Sequence, residues 1–382
     1  MPATTVISRR RLLQLGAVTS AGLATGCAGG TSGDLDERAE GQRLQVLNWS
    51  DYIDPTEDAT SGTVDRFVGA TGIDATYDDT YPGNFEALAD LFEPTLGQGK
   101  PSGWDIAVPT YWLAQRMLAK GWLERIPQEL VPNHVNLDPA FLGMPWDRGA
   151  RFHLPWQVGI TGIAYDPRAT GGPLTSLADF FALAESTPVS FIGEMREAVG
   201  LAMLAAGQDP SAADVDDANA AVDRLEALAA RPTFGGFTFE EFSDLLSSGQ
   251  VAAAMAWSGD IVQLQRDRPD LQFLIPGEGA IRWFDTMVIP AGSTNRAAAA
   301  KWMDWVYDPV NAAKITAWVQ YISPVLGVRE ELAAAGGDLA ALADDPILFP
   351  DVETEVRLRT WGGMDLGDED ALDARFADVA GL

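Results

Sequence analysis

The chain has 382 residues, 47% of them hydrophobic, and a formal net charge of -29. That length exceeds one usual domain and predicts two lobes, each with a sizeable core. The charge excludes binding of nucleic acid or anionic lipid through the general surface, and favours cationic partners or adaptation to high salt.

The first 27 residues read as a targeting segment rather than as fold. Ser8-Arg9-Arg10-Arg11-Leu12-Leu13 resembles a twin-arginine export signal. The mildly apolar stretch from Leu12 to Ala24 is too short to span a bilayer comfortably. It ends at Leu23-Ala24-Thr25-Gly26-Cys27, which resembles a lipobox, with Cys27 as the lipidated residue. Cys27 is the only cysteine, so neither an internal disulfide nor a thiolate metal site is expected. Residues 28–43, Gly-rich and charged, read as a flexible tether. The body of the protein is therefore expected outside the cytoplasm, lipid-anchored on the outer face of the cytoplasmic membrane or in the periplasm. Lysine is confined to Lys100, Lys120, Lys301 and Lys314, a pattern that also suits proteins of salt-loving organisms.

Leu44–Leu47 is the first expected strand, and Asn48, Trp49, Ser50, Asp51 and Tyr52 follow at its carboxyl end. In open α/β sheets ligands gather beyond such ends. A helix is expected from Glu57 to Gly69, a strand over Ile73–Tyr77, a helix through Phe85–Phe92 and a buried strand over Trp104–Val108. This alternation predicts an α/β fold with mainly parallel sheets. Thr110, Tyr111 and Trp112 stand just past the third strand, before a helix closed by Gly121. Trp122–Gly149 reads as irregular. Phe152–Trp156 and Gly159–Tyr165 read as extended segments that carry the chain into a second lobe. A helix over Ser176–Leu183 and a strand over Val189–Ile192 lead to Glu194 and Glu197. Helices are then expected to Ala206, over Pro210–Ala230 and over Phe239–Ser248. Val251–Ala256 is a strand with Trp257 and Asp260 at its end, and Leu271–Ile275 is another. A buried strand is expected from Thr286, with Trp283 and Asp285 just before it. Helices over Ala297–Tyr307 and Pro309–Trp318 precede Tyr321, and the remainder is mixed helix and loop.

Separate segments thus deliver aromatics and acids to element ends. Flat rings cover methylene chains and attract cations by roughly 0.5–2 kcal/mol per good contact. Carboxylates accept charge-assisted hydrogen bonds from ammonium groups. An alkyl chain with an ammonium at each end requires this combination. His134 and His153 have no second histidine or cysteine nearby to complete a zinc set, and read as packing or surface residues. No nucleophile elbow, phosphate-binding loop or dinucleotide fingerprint occurs. Paired carboxylates in an aromatic-lined cleft leave a carbohydrate-active enzyme as the alternative, using Glu194/Glu197 or Asp260/Asp285.

Six stretches in order carry a family resemblance: NWSDYIDP (Asn48–Pro55), DIAVPTYW (Asp105–Trp112), GEMREAVG (Gly193–Gly200), MAWSGD (Met255–Asp260), PGEGAIRWFDTMVIP (Pro276–Pro290) and QYISP (Gln320–Pro324). The chain resembles the polyamine (spermidine/putrescine)-binding extracytoplasmic proteins of ABC transporters. The resemblance implies a type II periplasmic-binding-protein clamshell, with residues 44–156 and 284–325 in lobe 1 and residues 157–283 and 326–382 in lobe 2. It implies a polyamine held by Trp49, Ser50, Asp51, Tyr52, Thr110, Trp112, Glu194, Glu197, Trp257, Asp260, Trp283, Asp285 and Tyr321. It further implies a monomer that binds its ligand without cofactor or metal, delivers it to the permease subunits, catalyses no reaction and contacts no nucleic acid. Asp260 matches the putrescine-preferring branch and Trp283 the spermidine branch, so the two signals point to different polyamines. Another cationic solute, such as an opine, is the alternative within the fold.

Overall fold

The computed structural model describes residues 43–56 and 61–382. The export signal, Cys27, all of the tether but Arg43 and the expected start of the Glu57 helix lie outside the described residues. No described helix is long and apolar enough to cross a membrane.

Ten described strands form one hydrogen-bonded sheet. They are β1 (Arg43–Leu47), β2 (Asp74–Asp78), β3 (Ile106–Ala107), β4 (His153–Tyr165), β5 (Val189–Ile192), β6 (Phe234–Thr238), β7 (Ala253–Trp257), β8 (Gln272–Leu274), β9 (Ala280–Val288) and β10 (Leu358–Arg359). The main path runs β2-β1-β3-β9-β4-β7-β5-β6, with β8 on β4 and β10 on β9. β1 pairs in parallel with β2 and β3, β5 with β6 and β7, and β10 with β9. The antiparallel pairings all involve β4 or β9. Parallel neighbours require crossover connections, which the helices supply.

Buried apolar residues fall into two principal cores. The first unites Leu44, Val46 and Phe67 with Leu113, Phe284, Trp302 and Ile315. The second unites Phe180, Phe191 and Leu201 with Leu225, Met255 and Phe376. β4 feeds both: Leu154, Trp156 and Val158 enter the first core, and Ile163, Ala164 and Tyr165 the second. β9 does likewise, with Ile281 in the second core and Phe284, Met287 and Val288 in the first. Beyond Tyr321, Val328, Leu332 and Ala343 still pack in the first core, while Trp361, Leu372 and Phe376 belong to the second.

Several helices begin on a side-chain cap drawn from the abundant acids. Asp214, Asp308, Asp351 and Asp365 each accept an N–H bond from the first turn they precede. Part of the negative charge therefore serves helix starts, where it also meets the positive end of the helix dipole.

Three local expectations are corrected. The two extended segments around Val158 are one continuous strand, the fully buried β4, because both faces of Gln157–Gly159 are covered and no turn residue breaks the run. Trp283 and Asp285 lie inside β9 rather than ahead of it, since pairing with β4 extends the strand back to Ala280. Trp104–Val108 keeps only Ile106–Ala107 as strand. β6 and the terminal helix Leu366–Ala380 carried no strong sequence signal.

Candidate functional site

The site starts where β1 ends. Asn48 is buried, and its Nδ2 donates to the Tyr77 hydroxyl at 2.6 Å, while its Oδ1 accepts from the Trp49 N–H at 2.8 Å. Trp49 in turn donates from Nε1 to the Val108 carbonyl at 2.8 Å. Asp51 adopts φ +61°, a left-handed conformation that Asp tolerates at a turn. Ser50 and Asp51 are exposed on that turn, whereas Tyr52 is half-buried.

Tyr52 leads into an aromatic arc. Its ring centroid lies 6.5 Å from Trp49 and 5.7 Å from Tyr321. Tyr321 lies 5.5 Å from Trp283, and Trp283 lies 6.2 Å from Trp257 at 72°. Two glycines make room for this arc. A Cβ on Gly159 would stand 2.2 Å from the Trp283 ring, and one on Gly259 would stand 2.4 Å from Tyr321.

Three carboxylates meet the arc. Asp285, 2% exposed, lies opposite Gln157 on β4 and bridges to Thr110. The Thr110 hydroxyl donates to Asp285 Oδ1 at 2.7 Å, and the Tyr52 hydroxyl also bonds Asp285. Burial pushes the Asp285 carboxyl up to about 7, against the opposing pull of those two hydrogen bonds. Glu197 accepts from the Trp257 Nε1 at 2.7 Å and from the Thr161 hydroxyl. Burial, then the neighbouring Glu194 charge, hold its carboxyl well above the usual range. Asp260 accepts from the Tyr321 hydroxyl at 2.6 Å. Burial and these acids hold the Tyr52 and Tyr321 hydroxyls protonated, so both remain donors.

Among the described residues, no Lys, Arg or His forms a salt bridge with Asp285 or Glu197. Each accepts hydrogen bonds from neutral donors. Such buried carboxylates gain most from a cation brought by a ligand.

Glu194 and Trp112 are placed differently. Glu194 caps the helix Met195–Ala205, accepting from the backbone N–H groups of Arg196 and Glu197. Its Oε1 also takes a bond from Arg196 Nη1 at 3.0 Å. The Arg196 guanidinium lies over the Trp112 ring, 3.8 Å from its centroid, and the Phe85 ring packs 5.2 Å away. Arg196 and Arg116 both reach the terminal helix, where Glu369 accepts from Arg196 Nε at 2.6 Å and from Arg116 Nη1 at 3.1 Å.

The structure therefore brings together Trp49, Tyr52, Thr110, Glu197, Trp257, Asp260, Trp283, Asp285 and Tyr321. It leaves Ser50 and Asp51 on the exposed turn and engages Glu194 and Trp112 with Arg196. Sequence reasoning missed Thr161, which bonds Glu197 and accepts from Trp283 Nε1 at 3.0 Å. It also missed Asn84, which donates to the Thr110 hydroxyl at 2.8 Å. Neither carries a local signal, since a Thr within a strand and an Asn in the first turn of a helix are ordinary. His153 is fully buried, with Nδ1 2.9 Å from Asp147 Oδ2, a packing role. No group of three or more His, Cys, Asp or Glu suited to a metal occurs among the described residues.

The family described as bacterial extracellular solute-binding protein matches residues 63–350. The spermidine/putrescine-binding periplasmic protein of Salmonella typhimurium is 27% identical over 368 residues, 95% of each chain. The putrescine-binding periplasmic protein PotF of Escherichia coli is 28% identical over 342 residues, 84% of this chain and 87% of its own. In fold, the chain is similar to the crystal structure of the spermidine/putrescine ABC transporter substrate-binding protein PotD from Streptococcus pneumoniae. That match has a TM-score of 0.74 and 24% identity, and covers 88% of this chain and 98% of the other.

Proposed function

The chain belongs to the bacterial extracellular solute-binding proteins, and from that premise we propose that it captures a polyamine outside the cytoplasm and delivers it to an ABC importer. The observation that carries this reading is the pair of buried carboxylates, Asp285 and Glu197, set against an aromatic arc with no cation among the described residues bonded to either. The rings of Trp257, Trp283, Tyr321, Tyr52 and Trp49 cover the ligand's methylenes. Asp285, Glu197 and Asp260 accept from its ammonium groups. Leaving a desolvated ammonium without such partners costs several kcal/mol, so neutral ligands of the same shape do not gain this stabilisation. The reaction is binding and release, with no bond made or broken.

The two cores support a division into two lobes that close on the ligand. Trp49, Tyr52, Thr110 and Asp285 come from segments around the first core, and Glu197, Trp257 and Asp260 from segments around the second. A ligand that touches both sets favours the closed form by its differential contacts. Calorimetry with putrescine, spermidine and spermine, beside an opine and a neutral sugar, tests the reading. At least one amine binds with a Kd of about 1 μM or tighter, near -8 kcal/mol. The reading fails if no amine binds while the sugar or the opine does.

Residues 1–27 support export by the twin-arginine route and anchoring through a lipid on Cys27. Cys27→Ser then moves the protein from the membrane fraction to the soluble fraction. A variant that stays on the membrane as firmly as the wild type removes the anchor.

A further inference from the structure

Thr110 stands at the N-cap of the helix Tyr111–Ala119, yet its side chain makes no capping bond to that helix. A threonine there ordinarily gives its oxygen to a backbone N–H of the first turn. Here the hydroxyl is engaged elsewhere on both sides. It accepts from Asn84 Nδ2 at 2.8 Å and donates to Asp285 Oδ1 at 2.7 Å. Asn84 grips Thr110 twice, because its Oδ1 accepts from the Thr110 backbone N–H at 3.1 Å. That second bond fixes the amide. A backbone N–H can only donate, so the Asn84 carbonyl oxygen has to face it, and the amino group then faces the hydroxyl. The amino group also only donates, which leaves the single hydroxyl proton for Asp285.

The consequence falls on the carboxylate. A hydroxyl held as a donor favours the ionised form of its acceptor, and an ammonium requires that form. A hydroxyl free to rotate can instead accept from the protonated acid and favour the neutral form. We propose that Asn84 is a positioning residue for amine capture, aiming the Thr110 hydroxyl at Asp285 and so keeping that carboxylate ready for the ligand's charge. The proposal rests on the polyamine reading and deepens it by adding a residue that acts through Thr110. Asn84 Oδ1 also takes the Tyr81 hydroxyl at 3.4 Å, and the Tyr81 ring lies 4.6 Å from Trp49, so this second route has to be told apart from the first. Tyr52, Tyr81, Tyr321 and Glu197 lie within electrostatic reach of Asp285, with Asp260 bonded to Tyr321, and all of them are present in every variant below.

The test is titration calorimetry of the full chain with putrescine and spermidine from pH 5.5 to 8. It compares wild type, Asn84→Ala, Asn84→Asp, Thr110→Val and the double variant carrying Asn84→Ala and Thr110→Val. In wild type the affinity breaks near pH 7, where Asp285 gives up its proton. In Asn84→Ala the break moves upward by about half a pH unit, so that well below it the affinity stands about threefold further under its plateau than in wild type. Asn84→Asp, of the same shape, moves the break further, because the new carboxylate draws the hydroxyl proton away and adds a negative charge. On the Thr110→Val background, Asn84→Ala leaves the break where Thr110→Val alone puts it. If Asn84→Ala weakens binding equally at every pH and leaves the break at its wild-type value, Asn84 serves only packing and the proposal is overturned. A break that Asn84→Ala still moves on the Thr110→Val background overturns it too, since the effect then runs through Tyr81. Should the variants not fold, neutron diffraction from ligand-free wild type above pH 7 decides. A Thr110 deuteron directed at Asp285 supports the proposal, and one directed elsewhere overturns it. If wild type binds neither amine, the polyamine reading falls and the proposal with it, whereas an unmoved break in a wild type that binds removes only the role of Asn84.

Discussion

At the scale of residues, the site is a set of acids held in unequal electrostatic states. Asp285 sits near 7 because burial outweighs the bonds from Thr110 and Tyr52, and Glu197 is also pushed upward. The ordinary value of the Asp285 carboxyl, and so its value in the unfolded chain, is 3.8. Between roughly pH 4 and pH 7 the folded chain therefore holds a proton that the unfolded chain releases. The ligand-free protein loses stability as pH rises through that window and is level above it. A ligand cation needs the ionised carboxylate, so binding below pH 7 expels the proton. Polyamine affinity should weaken by about tenfold per unit as pH falls below 7, and level off above it. In Asp285→Asn the Asp285 part of this slope disappears and binding weakens by roughly 2–5 kcal/mol. Calorimetry from pH 5.5 to 8 measures both, and an affinity indifferent to pH would remove Asp285 as the acceptor. At this scale the sequence was informative about residue types. Rings and acids near element ends named eight residues that the fold brings together, and Thr110 is the ninth. It was uninformative about the left-handed backbone of the exposed Asp51, because a single φ is set by the turn and not by the residue's chemistry.

At the scale of elements, β4 and β9 position most of the site. Trp283, Asp285 and Thr161 all lie on this pair, and the Trp283 ring lies against Gly159. Gly159→Ala drives a methyl group into that ring. The expected result is a loss of about 1–3 kcal/mol in stability, typical of overpacking, and an affinity reduced by at least tenfold as the indole swings from the arc. Urea unfolding and calorimetry report the two separately. Wild-type values in both would mean that the ring position is not set by Gly159. Strands such as Val189–Ile192 and helices such as Leu177–Leu183 were legible from periodicity and caps. The start of β9 was not, because Ile281-Arg282-Trp283 alternates no differently from a loop until β4 lies beside it. The terminal helix was hidden for a related reason. Its run of Asp and Glu reads as solvated charge, and only Arg116 and Arg196, distant in sequence, turn Glu369 and Asp373 inward.

At the scale of the whole molecule, the terminal helix joins regions of different cores. Arg116 belongs to the helix Tyr111–Ala119, whose Leu113 and Met117 pack in the first core. The Arg116 partners Glu369 and Asp373 lie on the helix whose Leu372 and Phe376 pack in the second. Removing one partner from a buried ionic group typically costs about 3–5 kcal/mol. Arg116→Ala should lower stability by about that amount and loosen the two lobes. In small-angle scattering, wild type should contract when a polyamine is added. The ligand-free variant should be larger than ligand-free wild type, and the scattered intensity should correspond to one copy. An unchanged radius in both comparisons would mean that no closure takes place.

β4 is 13 residues long and buried throughout, a length of about 43 Å at ~3.3 Å per residue. With β9 it forms the antiparallel pair at the middle of the sheet, and the ends of that pair are embedded in different cores. The pair resists stretching and in-plane shear through its ladder of hydrogen bonds. A closure that turned the lobes about this pair would move Trp283 and Asp285 least, since both lie near the middle of β9.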